Sequence, residues 1–169
     1  MAFKEMNVSE INENVFDMVG KKWMLITAAK NENDVNAMTA SWGGLGILWG
    51  KPVAFIFIRP QRYTKEYIDS SDGLTLSFFD ESYRKMLTYM GSASGRDENK
   101  IEHENLTVRF DGEAPYFEEA SVVLKAKKLY RQELEPDCLI DTSIEGRWYP
   151  EHDWHSMYIC EIKKVLIKE

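Results

Sequence analysis

The chain has 169 residues, of which 44% are hydrophobic and 12% aromatic, a composition too rich in core-forming side chains for a disordered protein. A chain of this length buries enough surface to fold without disulfides or a structural metal, so we predict a single domain over residues 1–169. Acidic residues outnumber basic residues by 28 to 21. This balance argues against a nucleic-acid-binding protein, which needs a basic face for phosphate contacts.

The N-terminal segment and the longest uncharged run predict where the protein resides. Residues 1–20 carry acidic and amide side chains where a secretory signal needs an apolar stretch. The uncharged run 35–50 is shorter than the roughly 20 apolar residues of a membrane-spanning helix. Because Cys138 and Cys160 form no C-x-x-C motif, we expect them at two half-buried apolar positions in a reducing compartment. We therefore expect a cytoplasmic protein with no membrane contact.

Apolar or alternating segments bounded by turn residues predict strands. In chain order these segments are 23–29, 37–48, 52–58, 74–79, 106–110, 122–130 and 154–166. The segment 52–58 is apolar on both faces, so we expect it in the interior of the sheet. Three glycines (Gly43, Gly44 and Gly46) interrupt the segment 37–48 and indicate a bulge, a bend or a close approach of the backbone to a ligand.

Short helices are predicted between the strands. Thr64 can cap a helix over 65–70. Asp80 or Ser82 can cap a second helix, in which apolar residues follow at helical spacing. The segment 97–104 is typical of a short polar helix. Prolines and a glycine predict an irregular excursion over 135–153. In total we expect five to seven strands and a few short helices, without regular alternation of strands and helices. This pattern predicts a mainly β fold with short helices, a small antiparallel barrel.

No motif of a self-contained enzyme is present, so we predict no catalytic residue. The run 44–49 lacks the third glycine of a dinucleotide-binding fingerprint. The run 91–96 departs from the phosphate-loop pattern in its glycine spacing and in having Arg96 in place of lysine. A G-x-S-x-G nucleophile elbow does not occur.

The histidines do not predict a metal site. His152 and His155 lie three residues apart, and strand geometry would direct their side chains to opposite faces. His103 lies among charged residues and is expected to be solvated. His155, beside Trp154, is a candidate for contact with a substrate, and a structural histidine is the alternative.

Three segments instead indicate a site for a flat, phosphorylated ligand. Small and hydroxyl residues at 39–42 precede the glycine cluster, where main-chain N–H groups can meet a planar ring. Two arginines and two hydroxyl groups at 59–64 lie between a buried strand and a helix, a setting suited to phosphate. The polar loop 92–96 is followed by Lys100. The candidate ligand-binding residues are Thr39, Ala40, Ser41, Trp42, Arg59, Pro60, Arg62, Tyr63, Thr64, Ser92, Ala93, Ser94, Gly95 and Lys100.

Each segment also has a purely structural interpretation. Residues 39–42 are compatible with an ordinary strand, the arginines with solvated charges at a strand end, and 92–96 with a simple turn. Their combination in an acidic chain that has no other candidate chemistry favours the ligand site.

The strings NAMTASWGG (36–44), KPVA (51–54), RPQRYT (59–64) and SGRD (94–97), followed by Lys100, resemble the flavin reductase-like family, and in particular its flavoredoxin-like group. The likeness runs in order from about residue 20 to about residue 165 and implies an FMN-binding split β-barrel. His155, Met157, Tyr158 and Glu161 are similar to the closing strand of the family. Cys160 departs from it, because many relatives have glycine there.

The resemblance implies a homodimer with one FMN per protomer, bound near the subunit interface. Residues 39–42 would meet the isoalloxazine ring. Arg59, Arg62, Tyr63 and Thr64 would hold the phosphate and ribityl chain, and Pro60 would shape the turn between them. Ser94, Gly95 and Lys100 would close the site.

Two classes of function are consistent with this resemblance. The first is an NAD(P)H-dependent flavin reductase or oxidoreductase that uses bound FMN for hydride and electron transfer, with NADH or NADPH as donor. The second is a flavoredoxin-like electron-transfer protein that keeps FMN tightly bound, exchanges electrons with a redox protein and does not turn over nicotinamides. A flavin-binding module without turnover is a third. The sequence contains no recognisable nicotinamide motif that would decide between them.

Overall fold

The computed structural model describes residues 2–112 and 114–169. Most of the secondary structure in these residues is β-strand, and the strands are β1 (Phe3–Met6), β2 (Met24–Asn31), β3 (Asp34–Ala40), β4 (Gly43–Leu48), β5 (Lys51–Ile58), β6 (Gly73–Phe78), β7 (Val108–Asp111), β8 (Ala114–Phe117), β9 (Val122–Glu133) and β10 (Ser156–Lys168).

The helices of the described residues are short. The α-helices are α1 (Val15–Asp17), α2 (Thr64–Ser70), α3 (Arg84–Ser92), α4 (Lys100–His103) and α5 (Ser143–Trp148). Single turns of 3₁₀-helix occupy Val8–Glu10, Glu81–Tyr83 and Pro136–Cys138, and a π-helical turn occupies Met18–Lys22. Within the described part of the chain, no helix has both the length and the apolar character needed to cross a bilayer.

One antiparallel sheet contains most of the strands and curls into an open barrel. Its strand order is β3-β2-β6-β9-β10-β5-β4, with β1 paired to β10, while β7 and β8 form a separate hairpin. The two edge strands, β3 and β4, are joined by only Ser41 and Trp42. Because two residues span only a few ångströms, the opposite edges of the sheet must come close together at this junction. The predicted mainly β fold with short helices, a split barrel, is thus confirmed.

Alternating side chains of the strands divide the core between the two faces of the sheet. Ala54, Ile56 and Ile58 of β5 are fully buried inside the barrel, next to Tyr158 of β10. A second apolar cluster packs against the sheet separately from the first, and it contains Met86, Leu87 and Met90 of α3. β5 lies between β10 and β4, which confirms the interior position predicted for the segment 52–58.

The predicted single strand 37–48 is wrong, because the chain leaves one edge of the barrel after Ala40 and enters the other at Gly43. Gly43 has φ +145°, and a Cβ built there would lie 2.5 Å from the backbone oxygen of Phe55. The glycine cluster therefore marks the crossing between two strands and not a bulge within one. The range of five to seven strands was too low for the same reason, and because the short strands β1 and β8 carry little periodic signal.

Both predicted helix caps are also wrong. The N-cap position of α2 is Tyr63, and the Thr64 hydroxyl accepts a hydrogen bond from the Asn36 side-chain amide at 2.9 Å instead. α3 begins after Tyr83, following the 3₁₀ turn, and neither Asp80 nor Ser82 caps it with a side-chain hydrogen bond. For α2, the tertiary contact with Asn36 engages the hydroxyl group that was predicted to cap the helix.

Candidate functional site

The first cavity lies where the two edges of the barrel meet, around Ser41 and Trp42. Its volume is about 230 Å³. It is lined by Met38, Thr39, Ala40, Ser41, Trp42, Phe57, Arg59, Arg62, Trp148 and His155. The fold therefore brings the segment 39–42, both predicted arginines and the candidate histidine to one place.

Backbone N–H groups and indole rings give this cavity a polar edge and an aromatic wall. The amides of Ser41 and Trp42, which lie outside the strand ladder, donate no hydrogen bond within the described residues. Trp42 is 40% exposed and meets Trp148 edge to face, with 5.0 Å between the ring centroids. Free amide donors beside aromatic side chains suit a flat ring whose edge carries hydrogen-bond acceptors.

Arg59 lines the first cavity, but its positive charge is balanced by the excursion 135–153. One terminal nitrogen lies 2.5 Å from a carboxylate oxygen of Asp153, and the other donates to the Trp148 carbonyl at 2.8 Å. The Gln61 amide also donates to Asp153. The hydrogen bonds from Gln61 and Arg59 lower the pKa of the Asp153 carboxyl group. Arg59 thus ties α5 to the barrel.

His155 is a buried, uncharged side chain at the same cavity. Its Nδ1 atom lies 2.8 Å from the hydroxyl of Tyr149, which is itself 4% exposed. Burial, with a smaller contribution from the charge of Arg59, lowers the pKa of His155 to about 4. The imidazole is therefore neutral at physiological pH.

The second cavity adjoins the first through Arg62, which lines both. Its volume is about 180 Å³. It is lined by Asn36, Gln61, Arg62, Tyr63, Thr64, Ser92, Ala93, Ser94, Gly95 and Lys100. Hydroxyl groups from α2, from the end of α3 and from the following loop thus surround two cationic side chains.

Arg62 and Lys100 lack the counter-charge that Arg59 has. Within the described residues neither forms an ion pair with a carboxylate. The Arg62 guanidinium donates to the Gly91 carbonyl at 2.6 Å. The Lys100 ammonium, 3% exposed, donates to the carbonyls of Ala37 and Met90 at 2.8 and 2.9 Å. Burial and the nearby Arg62 lower the pKa of Lys100 to about 8, and the charge of Glu98 offsets only part of this effect.

Close packing of small residues shapes the second cavity. A Cβ at Gly95 would collide with the Asn36 side chain and would lie 3.0 Å from a ring carbon of Tyr63. A Cβ at Gly91 would lie 3.2 Å from that of Thr39. The loop after α3 therefore approaches β3 and α2 more closely than a larger residue would permit.

The two cavities collect nearly all of the residues that the sequence indicated. Of the predicted residues, the first cavity is lined by Thr39, Ala40, Ser41, Trp42, Arg59 and His155. The second cavity is lined by Tyr63, Thr64, Ser92, Ala93, Ser94, Gly95 and Lys100, and Arg62 lines both. Pro60 lines neither and lies in the turn before α2. The amides of Lys65 and Glu66 donate to the carbonyls of Arg62 and Tyr63, so these helical N–H groups are not available to a phosphate.

Sequence reasoning missed five lining residues: Asn36, Met38, Phe57, Gln61 and Trp148. Asn36, Met38 and Gln61 belong to the strings that carry the family likeness, which could have identified them. Phe57 alternates with the buried Ile56 and Ile58 along β5, so its outward direction follows from strand periodicity. Trp148 ends α5, so the prediction of an irregular excursion over 135–153 is wrong for this helix, and no local signal identified Trp148.

Among the described residues, no group of three or more His, Cys, Asp and Glu side chains is arranged to hold a metal ion. His152 lies in the loop before β10, and its φ of 54° separates it from the strand that begins after His155.

Comparison with known families gives one model, described as the flavin reductase like domain, which matches residues 17–169. A search of curated proteins by sequence finds no significant match.

Solved structures with the same fold cover almost the whole chain. The flavoredoxin of Desulfovibrio vulgaris (Miyazaki F) is 22% identical with a TM-score of 0.68, over 97% of this chain and 78% of that protein. The flavoredoxin of Methanosarcina acetivorans is 20% identical with a TM-score of 0.67, over 97% and 77%. An FMN-binding domain of a flavin reductase-like enzyme from Shewanella baltica OS155 is 15% identical with a TM-score of 0.68, over 98% and 77%. At these identities the likeness establishes the fold.

Proposed function

This chain belongs to the flavin reductase-like family, and on that basis we propose that its two adjoining cavities bind one FMN, through which the protein transfers hydride or electrons. The structures most similar to it include proteins named as flavoredoxins and as an FMN-binding domain, which supports the choice of cofactor.

The observation that carries the proposal is the difference in charge between the two connected cavities. Apart from Arg62, which lies where the two cavities join, the first presents the Ser41 and Trp42 amides, aromatic side chains and an arginine already neutralised by Asp153. The second presents two cations without carboxylate partners, together with hydroxyl groups. FMN has the matching polarity, since a flat uncharged ring system is joined through a ribityl chain to a phosphate.

The residues of the chain bind and orient the cofactor. Arg62 and Lys100 would hold the phosphate, with hydroxyl groups of the second cavity along the ribityl chain. The amides at Ser41 and Trp42 would donate to the edge of the ring, and Trp42 and Trp148 would limit the access of water. Bound FMN supplies hydride and single-electron chemistry, so the protein needs no nucleophile or acid–base pair of its own.

We assign the protein as an NAD(P)H-dependent flavin reductase or oxidoreductase, with NADH or NADPH as donor. A planar donor would approach the cofactor past Trp42 and Trp148, which line the first cavity and are each 40% exposed. The alternative is an electron carrier like the flavoredoxins, with tightly held FMN and a redox protein as partner; the two flavoredoxins among the similar structures favour it.

We also propose a homodimer that forms through the outward face of β5, β9 and β10. This face includes the partly buried Phe55, Phe57 and Met157, the buried Ile159 and the exposed Tyr130, and the Trp49 ring lies 6.3 Å from that of Tyr130 between centroids. Trp49 is 57% exposed and Tyr130 41% exposed. Large aromatic side chains exposed together are typical of protein interfaces. Phe57 also lines the first cavity, so a partner on this face would lie next to the cofactor.

Visible absorption of the purified protein, before and after anaerobic addition of NADH and then NADPH, tests these assignments. Flavin bands that bleach with a nucleotide support the reductase and identify its donor. Bands that persist until dithionite is added support the electron carrier. If incubation with FMN and desalting leave no flavin bands, and a titration detects no affinity, the FMN assignment is refuted.

A further inference from the structure

Tyr149 occupies a position that ligand contact does not explain. It directly follows α5, is 4% exposed and does not line either cavity. Its ring stacks on Trp154 with 4.1 Å between centroids, and the Arg59 guanidinium lies 5.1 Å from its centroid. Its hydroxyl has one hydrogen-bond partner within the described residues, the Nδ1 atom of His155. A buried phenol directed at an imidazole at the cavity wall indicates a role that acts through His155.

The direction of this hydrogen bond follows from counting protons. Burial raises the pKa of Tyr149, so its hydroxyl keeps its proton, and that proton has only Nδ1 of His155 as an acceptor within reach in the described residues. If Nδ1 carried the imidazole proton instead, the phenol proton would be buried without a partner, which costs free energy. The neutral ring therefore carries its proton on Nε2.

The Nε2 atom has no hydrogen-bond partner within the described residues, and the His155 ring lines the first cavity. The charged groups around it are Arg59 and Asp153, which pair with each other at 2.5 Å. At Nε2 the cavity wall presents an uncharged hydrogen-bond donor, whereas Arg62 lies where the two cavities join and Lys100 lines the second. An uncharged donor is suited to a carbonyl oxygen more than to an anion.

We propose that Tyr149 is a positioning residue, whose hydroxyl donates to Nδ1 of His155, holds the ring as the Nε2–H tautomer and so presents a neutral donor to a ligand carbonyl in the first cavity. The carbonyl belongs either to the ring of FMN or to a second substrate. The inference rests on the proposed function only for the identity of the ligand that supplies the carbonyl, since the tautomer is a property of the chain itself.

The test is ¹⁵N NMR of histidine-labelled protein, with the His155 signals assigned from a His155→Asn variant. In the wild type we expect the Nε2–H tautomer and a hydrogen-bonded Nδ1. Tyr149→Phe keeps the stacked ring and removes the hydroxyl, so the Nδ1–H form should increase several-fold, up to about tenfold, and the pKa of His155 should rise. Tyr116→Phe, which removes a hydroxyl group on the separate β7–β8 hairpin, should change neither.

A wild-type proton on Nδ1, or Tyr149→Phe spectra identical to those of the wild type, would overturn the proposal. Addition of FMN, followed by benzamide or benzoate, then distinguishes the carbonyl sources. A shift of Nε2–H with FMN alone assigns the flavin carbonyl, and a shift only with benzamide assigns a second substrate. A shift with benzoate alone, or with none of them, refutes the carbonyl assignment. FMN affinity of the wild-type protein, measured on the same samples, separates this result from the proposed function: FMN that binds while the proton is on Nδ1 overturns only the tautomer, and an Nε2–H tautomer without FMN binding overturns only the proposed function.

Discussion

Three cations at the site have two different environments. Arg59 is held by Asp153 and by the Trp148 carbonyl, whereas Arg62 and Lys100 are bound only to backbone carbonyls. A buried cation without an anionic partner destabilises the fold, since desolvation is not offset. A bound phosphate would supply the missing charge, so the two unpaired cations should contribute most to the affinity for FMN.

Arg62→Ala should therefore weaken FMN binding by roughly tenfold to a hundredfold, the usual effect of losing a charged hydrogen bond. Riboflavin, which lacks the phosphate, should bind the variant almost as well as the wild type. Arg59→Ala should reduce FMN affinity less, because its guanidinium is already paired. Arg109→Ala, on the separate β7–β8 hairpin and paired with Glu118, is the control. Fluorescence titration measures each affinity, and equal losses for FMN and riboflavin would contradict the phosphate assignment.

FMN affinity should also fall as the pH rises from 7 to 9. The pKa of Lys100 is lowered to about 8, so the free protein loses this positive charge above that pH, well before an exposed lysine would. A bound phosphate favours the protonated amine, and binding above pH 8 must then take up a proton. The dissociation constant should increase toward a limit of about tenfold per pH unit. Riboflavin titrated over the same range should show no such increase; a parallel increase would exclude Lys100 as the cause.

Among the elements, the junction of β3 and β4 and the helix α5 build the first cavity. The junction places two free amides between the edges of the barrel, and α5 adds Trp148. α5 is attached to the barrel through Arg59 and through the contact of Trp148 with Trp42. The cavity thus depends on elements that are about one hundred residues apart in the chain.

The sharp entry into β4 requires glycine at position 43. Gly43→Ala should lower the free energy of unfolding by about 1–3 kcal/mol, because φ is +145° and the new methyl group would lie 2.5 Å from the Phe55 oxygen. Gly20→Ala is the matched control, since a Cβ there meets nothing within 4 Å and its φ is not positive. Chemical denaturation measures both. Equal stability of the two variants would show that the backbone at the junction relaxes without cost.

At the scale of the whole molecule, the barrel leaves an aromatic face uncovered beside the cavity. β4 adds Gly44 to this face, opposite Phe55, so the backbone itself is open to a neighbour there. A chain with a formal net charge of -7 gains no electrostatic attraction toward its own copy. Association of two copies would then depend on burial of the aromatic side chains.

Trp49→Lys should shift the protein toward monomers, with a dimer dissociation constant higher by about thirtyfold, the effect typical of a central interface tryptophan. Lys85→Glu, on the exposed side of α3, changes charge away from this face and should leave the dimer intact. Sedimentation velocity over a range of concentrations measures the association. A wild-type protein that is monomeric throughout would refute the homodimer.

Much of the fold and most of the candidate site could be predicted from the sequence, because their signals are local. Apolar runs identified β2, β5, β6, β9 and β10 to within a few residues. The segments 39–42, 59–64 and 92–95 supply most of the lining of both cavities. Each segment combines residue types suited to one part of a flavin nucleotide, so its contribution could be inferred without knowing its neighbours.

The tertiary structure decided what depends on residues distant in sequence. The sequence pattern predicts the same phosphate-binding role for Arg59 and Arg62. In the structure only Arg59 pairs with Asp153, because the curled sheet and the excursion 135–153 bring these two residues together. Tyr149 and His155 are only six residues apart, yet their pairing depends on how the chain turns between α5 and β10, which no local pattern reports. Composition and periodicity determine which segments become strands and which carry ligand-binding groups. Charge balance, tautomer and cavity shape follow from contacts that exist only after the sheet has closed, since hydrogen bonds and ion pairs act over a few ångströms.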